Sequence, residues 1–151
     1  MNNLKIRLFK RTDEKDIYPI LKDLDVKKFY RGLYCKDESE AQELFYKLLN
    51  SSNLQAYTTI VDKKKAGLVL IEYDEISNKI YLSCALNKAY RGKGVMENSI
   101  RLILKNLRDC FESEVCMYIM PQNIPARNLV EKLGAKQEKY DEYVLDLEEL
   151  N

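Results

Sequence analysis

The stretch that most constrains this chain is residues 79–111. Lys79-Ile80-Tyr81-Leu82-Ser83-Cys84-Ala85-Leu86 is β-branched, aromatic and aliphatic, and reads as a strand. A glycine-containing loop follows, Tyr90-Arg91-Gly92-Lys93-Gly94-Val95-Met96. Met96, Ile100, Ile103, Leu104, Leu107 and Phe111 then recur at helical spacing, with Arg101, Lys105 and Arg108 on the opposite, wet face. Such a strand–loop–helix unit aims backbone N–H groups and the positive end of the helix dipole at one point. An anion fits there, most often a phosphate. Gly92 and Gly94 let the backbone come close to it, because no Cβ intrudes. An ordinary strand-to-helix turn with two glycines is the plain alternative. The loop is not G-x-x-x-x-G-K-[ST], nor G-x-G-x-x-G after a first strand. Neither a nucleoside-triphosphate site nor a dinucleotide site is expected.

Composition narrows the class further. With 151 residues, 46% hydrophobic and 32% charged, the chain suits one folded domain over residues 1–151. A formal net charge of +1 gives no basic footprint for nucleic acid. No run of about 18 apolar residues calls for a membrane span. The N-terminus has no apolar signal region, so a cytoplasmic protein is expected. Cys35, Cys84, Cys110 and Cys116 show no C-x-x-C spacing, so neither a metal site nor a redox pair is expected. Cys84 and Cys116 lie in apparent strands, where a thiol acts as a small buried hydrophobe. There is no histidine. That removes the commonest general base and the imidazole-dependent triads.

Along the chain, residues 4–9 alternate and form a first strand. Thr12 or Asp16 can cap a helix carrying Ile17, Ile20, Leu21 and Leu24; Pro19 fits its first turn best if it starts at Asp16. Residues 26–36 are mixed and aromatic. Asp37 and Glu40 have capping-box spacing before a helix with Ala41, Leu44, Phe45, Leu48 and Leu49 inward. Strands at 55–62, 68–73 and 79–86 make an antiparallel meander, with residues 63–67 as a solvated turn. Residues 114–120 suit a buried strand, parallel to 79–86 because a helix intervenes. Asn123 caps a short helix with Pro125 in its first turn and Gly134 past its end. Residues 135–139 and 142–147 form a terminal hairpin. The order is β-α-α-β-β-β-α-β-α-β-β, a mixed α+β fold.

Two motifs in this order resemble the GNAT acetyltransferases. The loop is similar to that family's [Q/R]-x-x-G-x-[G/A] acetyl-CoA pyrophosphate pattern at Arg91 and Gly94, and departs from it at Met96. The G-K-G-x-M form resembles the branch of ribosomal-protein N-terminal acetyltransferases, although Glu97-Asn98-Ser99 replaces that branch's T-E-A. The family's later N-x-x-[S/A]-x-x-L-x-x-K-x-G pattern agrees at Asn123, Leu129, Lys132 and Gly134. The resemblance implies a GNAT-type fold, a mostly antiparallel sheet with one splayed parallel pair. It implies acetyl-CoA as cosubstrate and a primary amine as acceptor, a small molecule or a peptide N-terminus, and leaves room for a homodimer.

It also implies roles. Backbone N–H groups of Arg91, Gly92, Lys93, Gly94, Val95 and Met96 hold the CoA pyrophosphate. Arg91, Lys93 and Arg127 are the side chains offered to its oxygens. Cys84, Ala85 and Leu86 pair with the pantetheine arm as a neighbouring strand would. Asn123 bonds that arm, unless it is a cap only. The family's usual proton donors are absent: Val130 stands at the tyrosine position and Ala126 at the serine position. Glu72, as a base through water, and Tyr118, as an acid, are the replacement candidates. Their plain alternatives are an exposed strand-end glutamate and a core tyrosine. Phe29, Tyr30, Tyr34, Phe45 and Tyr46 form either an acceptor wall or a core satellite. Acetyl transfer by direct attack is the expected activity. A catalytically weak acyl-CoA-binding sensor or partner subunit of the same fold is the alternative.

Overall fold

The computed structural model describes residues 3–30, 32–110 and 114–151. Seven strands form one sheet: β1 (Leu4–Leu8), β2 (Leu54–Val61), β3 (Lys64–Asp74), β4 (Lys79–Leu86), β5 (Glu114–Tyr118), β6 (Lys136–Lys139) and β7 (Glu142–Asp146). Their spatial order is β1-β2-β3-β4-β5-β7-β6. All pairs are antiparallel except β4–β5. The helix between β4 and β5 dictates this, since a tight turn cannot reverse a chain into a parallel neighbour. Among the described residues five α-helices cover the sheet: α1 (Glu14–Leu21), α2 (Leu24–Phe29), α3 (Glu38–Asn50), α4 (Val95–Cys110) and α5 (Ile124–Leu133).

Strand alternation divides the core in two. On one face Val69, Ile71, Ile80, Leu82, Val115 and Met117 pack against Ile100, Ile103 and Leu104 of α4 and Val130 and Leu133 of α5. On the other, Ala56, Leu68 and Ala85 meet Ile17 and Leu21 of α1, Val26 of α2 and Phe45 and Leu48 of α3. The helix α5 ends as expected: Gly134 has φ 109°, and the Gly134 and Ala135 N–H groups close on Glu131 and Val130 carbonyls. Phe111, expected on the apolar face of α4, lies outside the described residues, as does Arg31.

The structure corrects three local expectations. First, α1 begins at Glu14, and Pro19 is its sixth residue and not in its first turn. The helix continues directly from a single turn over Arg11–Asp13, which Asp13, fully buried and paired with Arg7 and Lys65, closes by accepting from the Lys10 N–H at 2.9 Å. Second, the β2–β3 turn is Asp62-Lys63 alone, with φ 48° and 69°, and β3 already runs from Lys64. These left-handed values suit a two-residue hairpin. Gly67 is thus a strand residue: a Cβ there would lie 2.7 Å from the Ala85 oxygen. Lys65 is not simply solvated, since its ammonium reaches Asp13 at 2.9 Å and Asp16 at 3.3 Å. Third, the aromatic stretch after residue 22 contains a helix, α2. Asp23 caps it by accepting from the Asp25 N–H at 2.7 Å.

Candidate active site

The parallel pair makes the opening. β4 and β5 are laddered only at Ile80–Val115 and Tyr81–Cys116. Beyond these pairs the strands separate, so Leu82 to Leu86 have no ladder partner on the β5 side among the described residues. A strand's amides alternate in direction, so every second residue of that run turns its N–H and C=O into the gap. The gap opens into a cleft of about 640 Å³, with Cys84 and Leu86 on one wall and Met117 and Tyr118 on the other. Asn123 stands at the start of α5 and Tyr30 at the end of α2, and both line the same cleft. Of the residues expected to hold the cosubstrate, Lys93 and Arg127 are not part of the lining.

At the far end of β4 the loop forms a concave anion seat. Gly92 and Gly94 have φ 75° and 77°, a conformation that costs an L-residue about 1–2 kcal/mol. A Cβ on Gly92 would have no heavy atom within 4 Å, so the glycine serves backbone shape and not packing. The loop leads into the first turn of α4, whose N–H groups have no partner inside the helix. Glu97 stands in that turn but is neutralised. Lys132 and Arg101 each sit 3.2 Å from its carboxylate. Lys132 is the larger influence holding the acid below its usual range.

The side chains expected on the phosphates are placed differently. The Arg91 guanidinium donates to the Leu86 carbonyl at 3.1 and 3.0 Å and to the Asp25 carboxylate at 2.7 Å. Asp23 is a further 3.5 Å neighbour. Arg91 therefore ties α2 to the end of β4, and its backbone is what faces the seat. Arg127 donates to the Tyr143 hydroxyl at 2.8 Å and the Pro121 carbonyl at 3.3 Å. Lys93 is exposed on the loop.

The middle of the cleft is a hydrogen-bonded cluster. The Oδ1 atom of Asn123 accepts from the Ala126 N–H at 3.4 Å, which is the α5 cap. Its Nδ2 donates to the Tyr30 hydroxyl at 2.8 Å. Burial, with Cys84 nearby, pushes the Tyr30 phenol up to about 12, against the opposing pull of Asn123 and Arg91. Burial likewise pushes the Cys84 thiol up to about 12, so it is not a thiolate nucleophile at neutral pH. Val130 and Ala126 line this region and offer no proton.

Tyr118 and Glu72 lie on the helix-α1 face of the sheet. Register sets Glu72 opposite Tyr81 and Tyr118 opposite Glu142. Facing ladder partners share a face. Tyr81 and Tyr118 stack with centroids 5.9 Å apart at 9°. Glu142 is only 8% exposed, whereas Tyr118 is 56% exposed and reaches the cleft. Partial desolvation first, then the Glu142 carboxylate, raise the Tyr118 phenol. Glu72 is exposed on β3 and outside the cleft lining. Of the aromatic group before and within α3, Tyr30 and Phe29 reach the cleft, Tyr34 packs partly buried against the core under α1 and α3, Phe45 is core, and Tyr46 is 69% exposed. Glu142 was not singled out from the sequence. The sequence carries no signal for it, because in β7 the apolar alternation falls on Tyr143 and Leu145 and Glu142 takes the opposite, ordinarily polar position.

Among the described residues no group of three or more His, Cys, Asp or Glu is arranged to hold a metal, and no helix is long and apolar enough to cross a membrane. A family model described as an acetyltransferase (GNAT) domain matches residues 3–136. The solved structures that match include a GNAT-family acetyltransferase from Bacillus anthracis, 18% identical, with TM-score 0.83 over 98% of this chain and 97% of that one. A spermidine N-acetyltransferase from Vibrio cholerae, in complex with CoA and spermine, is 16% identical with TM-score 0.85 over 97% and 96% of the two chains. An N-acetyltransferase from Staphylococcus aureus Mu50 is 16% identical with TM-score 0.77 over 97% and 99%. No curated protein matches in sequence. These comparisons give no support to the narrower resemblance to ribosomal-protein N-terminal acetyltransferases. Parallel-pair gap, glycine seat, capped α5 and a family match over most of the chain agree: the chain belongs to the GNAT acetyltransferases, acetyl-CoA-dependent N-acyltransferases.

Proposed function

We propose that this chain transfers the acetyl group of acetyl-CoA to the primary amine of a small cationic molecule of the di- or polyamine class. The observation that carries the reading is the gap beyond Tyr81, flanked by the glycine seat and opening onto the Tyr81–Tyr118 stack. The pyrophosphate rests on the N–H groups from Arg91 to Met96. The pantetheine arm runs along Cys84 to Leu86 as an added strand and brings the thioester toward Tyr118. A backbone N–H of the open β4 edge stabilises the carbonyl oxygen as it gains negative charge. Asn123 borders the arm from the start of α5.

The acceptor side is assigned on its chemistry. An ammonium is attracted both by carboxylates and by the faces of tyrosine rings. Tyr118 lines the cleft with Glu142 opposite it on β7, and Tyr81, stacked on Tyr118, has Glu72 opposite it on β3, so both kinds of group lie in a row leading outward from the cleft. We assign Glu142 and Tyr118 to hold the distal cationic group, and Glu72 to draw the proton of the attacking amine through water. Spermidine N-acetyltransferases among the structural neighbours are consistent with such an acceptor. A peptide N-terminus presents one cation and then a neutral backbone, and leaves the second carboxylate without a partner.

The test is release of free CoA thiol from acetyl-CoA by the purified protein, with spermidine, a short peptide and an amino sugar compared as acceptors. Spermidine is expected to exceed the peptide in kcat/KM by on the order of tenfold, the worth of one extra charge-assisted contact. A peptide that reacts faster than spermidine refutes the acceptor assignment. No thiol release with any amine refutes the transferase reading and leaves the acyl-CoA sensor.

A further inference from the structure

We infer that Tyr30 is the proton donor to the departing CoA thiol, held in place for that task by Asn123. The inference rests on the acetyl-transfer reading of the cleft. It starts from the two faces of the sheet. Tyr30 ends α2, which packs with Leu68 and Ala85 on one face. Asn123 begins α5, which packs with Leu82 and Met117 on the other. A hydrogen bond between elements on opposite faces must pass through the sheet or around its rim. The edge strands β1 and β6 contribute nothing to the cleft lining, whereas Tyr30 and Asn123 both line the cleft into which the β4–β5 gap opens. The 2.8 Å bond from Asn123 to Tyr30 therefore closes around the open end of that parallel pair, beside the course of the thioester arm.

The direction of that bond decides where the tyrosine proton goes. The oxygen of the Asn123 amide is engaged by the Ala126 N–H, so its NH₂ is what meets Tyr30. Tyr30 thus spends a lone pair on Asn123, and its O–H must point elsewhere. Among the described residues no acceptor takes that hydrogen. The charged or ionisable groups that bear on this phenol are Cys84 and Arg91, both in the cleft lining. Neither accepts a proton at neutral pH. A half-buried phenol with a fixed oxygen and an uncommitted hydrogen, in the wall of the cleft, supplies what Val130 and Ala126 lack.

The step balances without another reactant. A neutral amine forms the C–N bond to the thioester carbonyl carbon, and the carbonyl π pair moves to oxygen. That pair returns as the C–S bond breaks and its electrons pass to sulfur. Sulfur takes the proton from Tyr30 Oη. The phenolate regains a proton lost by the adduct nitrogen, through water. The products are the amide and the CoA thiol.

Two substitutions and their combination test this. Tyr30→Phe keeps the ring and removes the proton; kcat is expected to fall on the order of 100-fold with the acetyl-CoA KM within about threefold of the parent. Asn123→Asp keeps the cap, but its carboxylate draws the Tyr30 hydrogen to itself, and a similar fall in kcat is expected. Because both act on one proton, the double variant is expected to be no slower than the worse single one. A Tyr30→Phe kcat within about threefold of the parent overturns the inference while the transferase reading stands. So does a loss carried only by KM, or a double variant in which the two losses multiply. A parent protein that releases no thiol overturns the transferase reading and the inference together. If Tyr30→Phe does not fold, Asn123→Asp decides alone, and a retained kcat overturns the inference.

Discussion

At the scale of single residues, the strongest polar anchor lies away from the cleft. Asp13 is fully buried and accepts from Arg7 at 2.7 and 2.8 Å, from Thr58 at 2.8 Å and from the Lys10 N–H at 2.9 Å, with Lys65 also 2.9 Å away. Burial alone would raise this carboxyl. Arg7, Lys10, Lys65 and Thr58 outweigh it and hold the acid well below its usual range. Asp13→Asn leaves two cations facing a neutral amide and should cost on the order of 3 kcal/mol in urea unfolding. The pH dependence has a definite sign. A depressed folded-state pKa gives stability that is complete above the unfolded value of about 3.9 and drains as pH falls below it. The gap between parent and Asp13→Asn should therefore be flat above about pH 5 and narrow below about pH 4. An unchanged gap at pH 3 would place the anchor elsewhere. In the cleft, Gly92→Ala should raise the acetyl-CoA KM through left-handed strain, with kcat at saturation kept; an unaltered KM would count against the seat. Gly92, Gly94 and Asn123 were legible because local backbone demands set their identity. The partner of Asn123 was not, since Tyr30 is 93 positions away and only the closed fold joins them.

At the scale of elements, α4 and α5 were readable and α2 was not, and the reason is the source of their stability. α4 has 16 residues with a full apolar stripe, so period alone reveals it. α2 has six residues, and its Leu24 is 76% exposed. A helix that short does not persist without tertiary support. Its support is the Asp23 cap, Val26 in the core, the Arg91 ion pair with Asp25, and the Tyr30–Asn123 bond just beyond its end. Asp25→Asn should therefore raise amide exchange in α2 about tenfold while leaving α4 unaltered. Equal protection of α2 in both proteins would mean that Val26 alone holds it. The same logic explains the misread hairpin. The three lysines before Ala66 look like a solvated tip, yet Asp62 and Lys63 make the turn and Lys65 is drawn inward by Asp13. A side chain's partner across the sheet is not written in its neighbours along the chain.

At the scale of the whole molecule, the sheet is two ladders joined weakly. β1 to β4 form one antiparallel set and β5, β7 and β6 the other, and among the described residues two ladder pairs connect them. The helices α4 and α5 bridge the halves through one shared core. A pantetheine arm hydrogen-bonded along Cys84 to Leu86 would extend the β4 edge across this seam, so binding should stabilise the junction more than either ladder. At about 100 times its Kd, acetyl-CoA adds about 2.7 kcal/mol to the folded state by mass action. For a chain of this size that corresponds to a rise of roughly 5–10 °C in Tm. Hydrogen exchange should slow most in β4, β5 and the first turn of α4. Pantetheine lacks the pyrophosphate and engages only the β4 edge, so at the same concentration it should give a much smaller rise. A rise from pantetheine equal to that from acetyl-CoA would mean that the Gly92–Gly94 loop adds nothing to binding, and the anion seat would then be an ordinary turn.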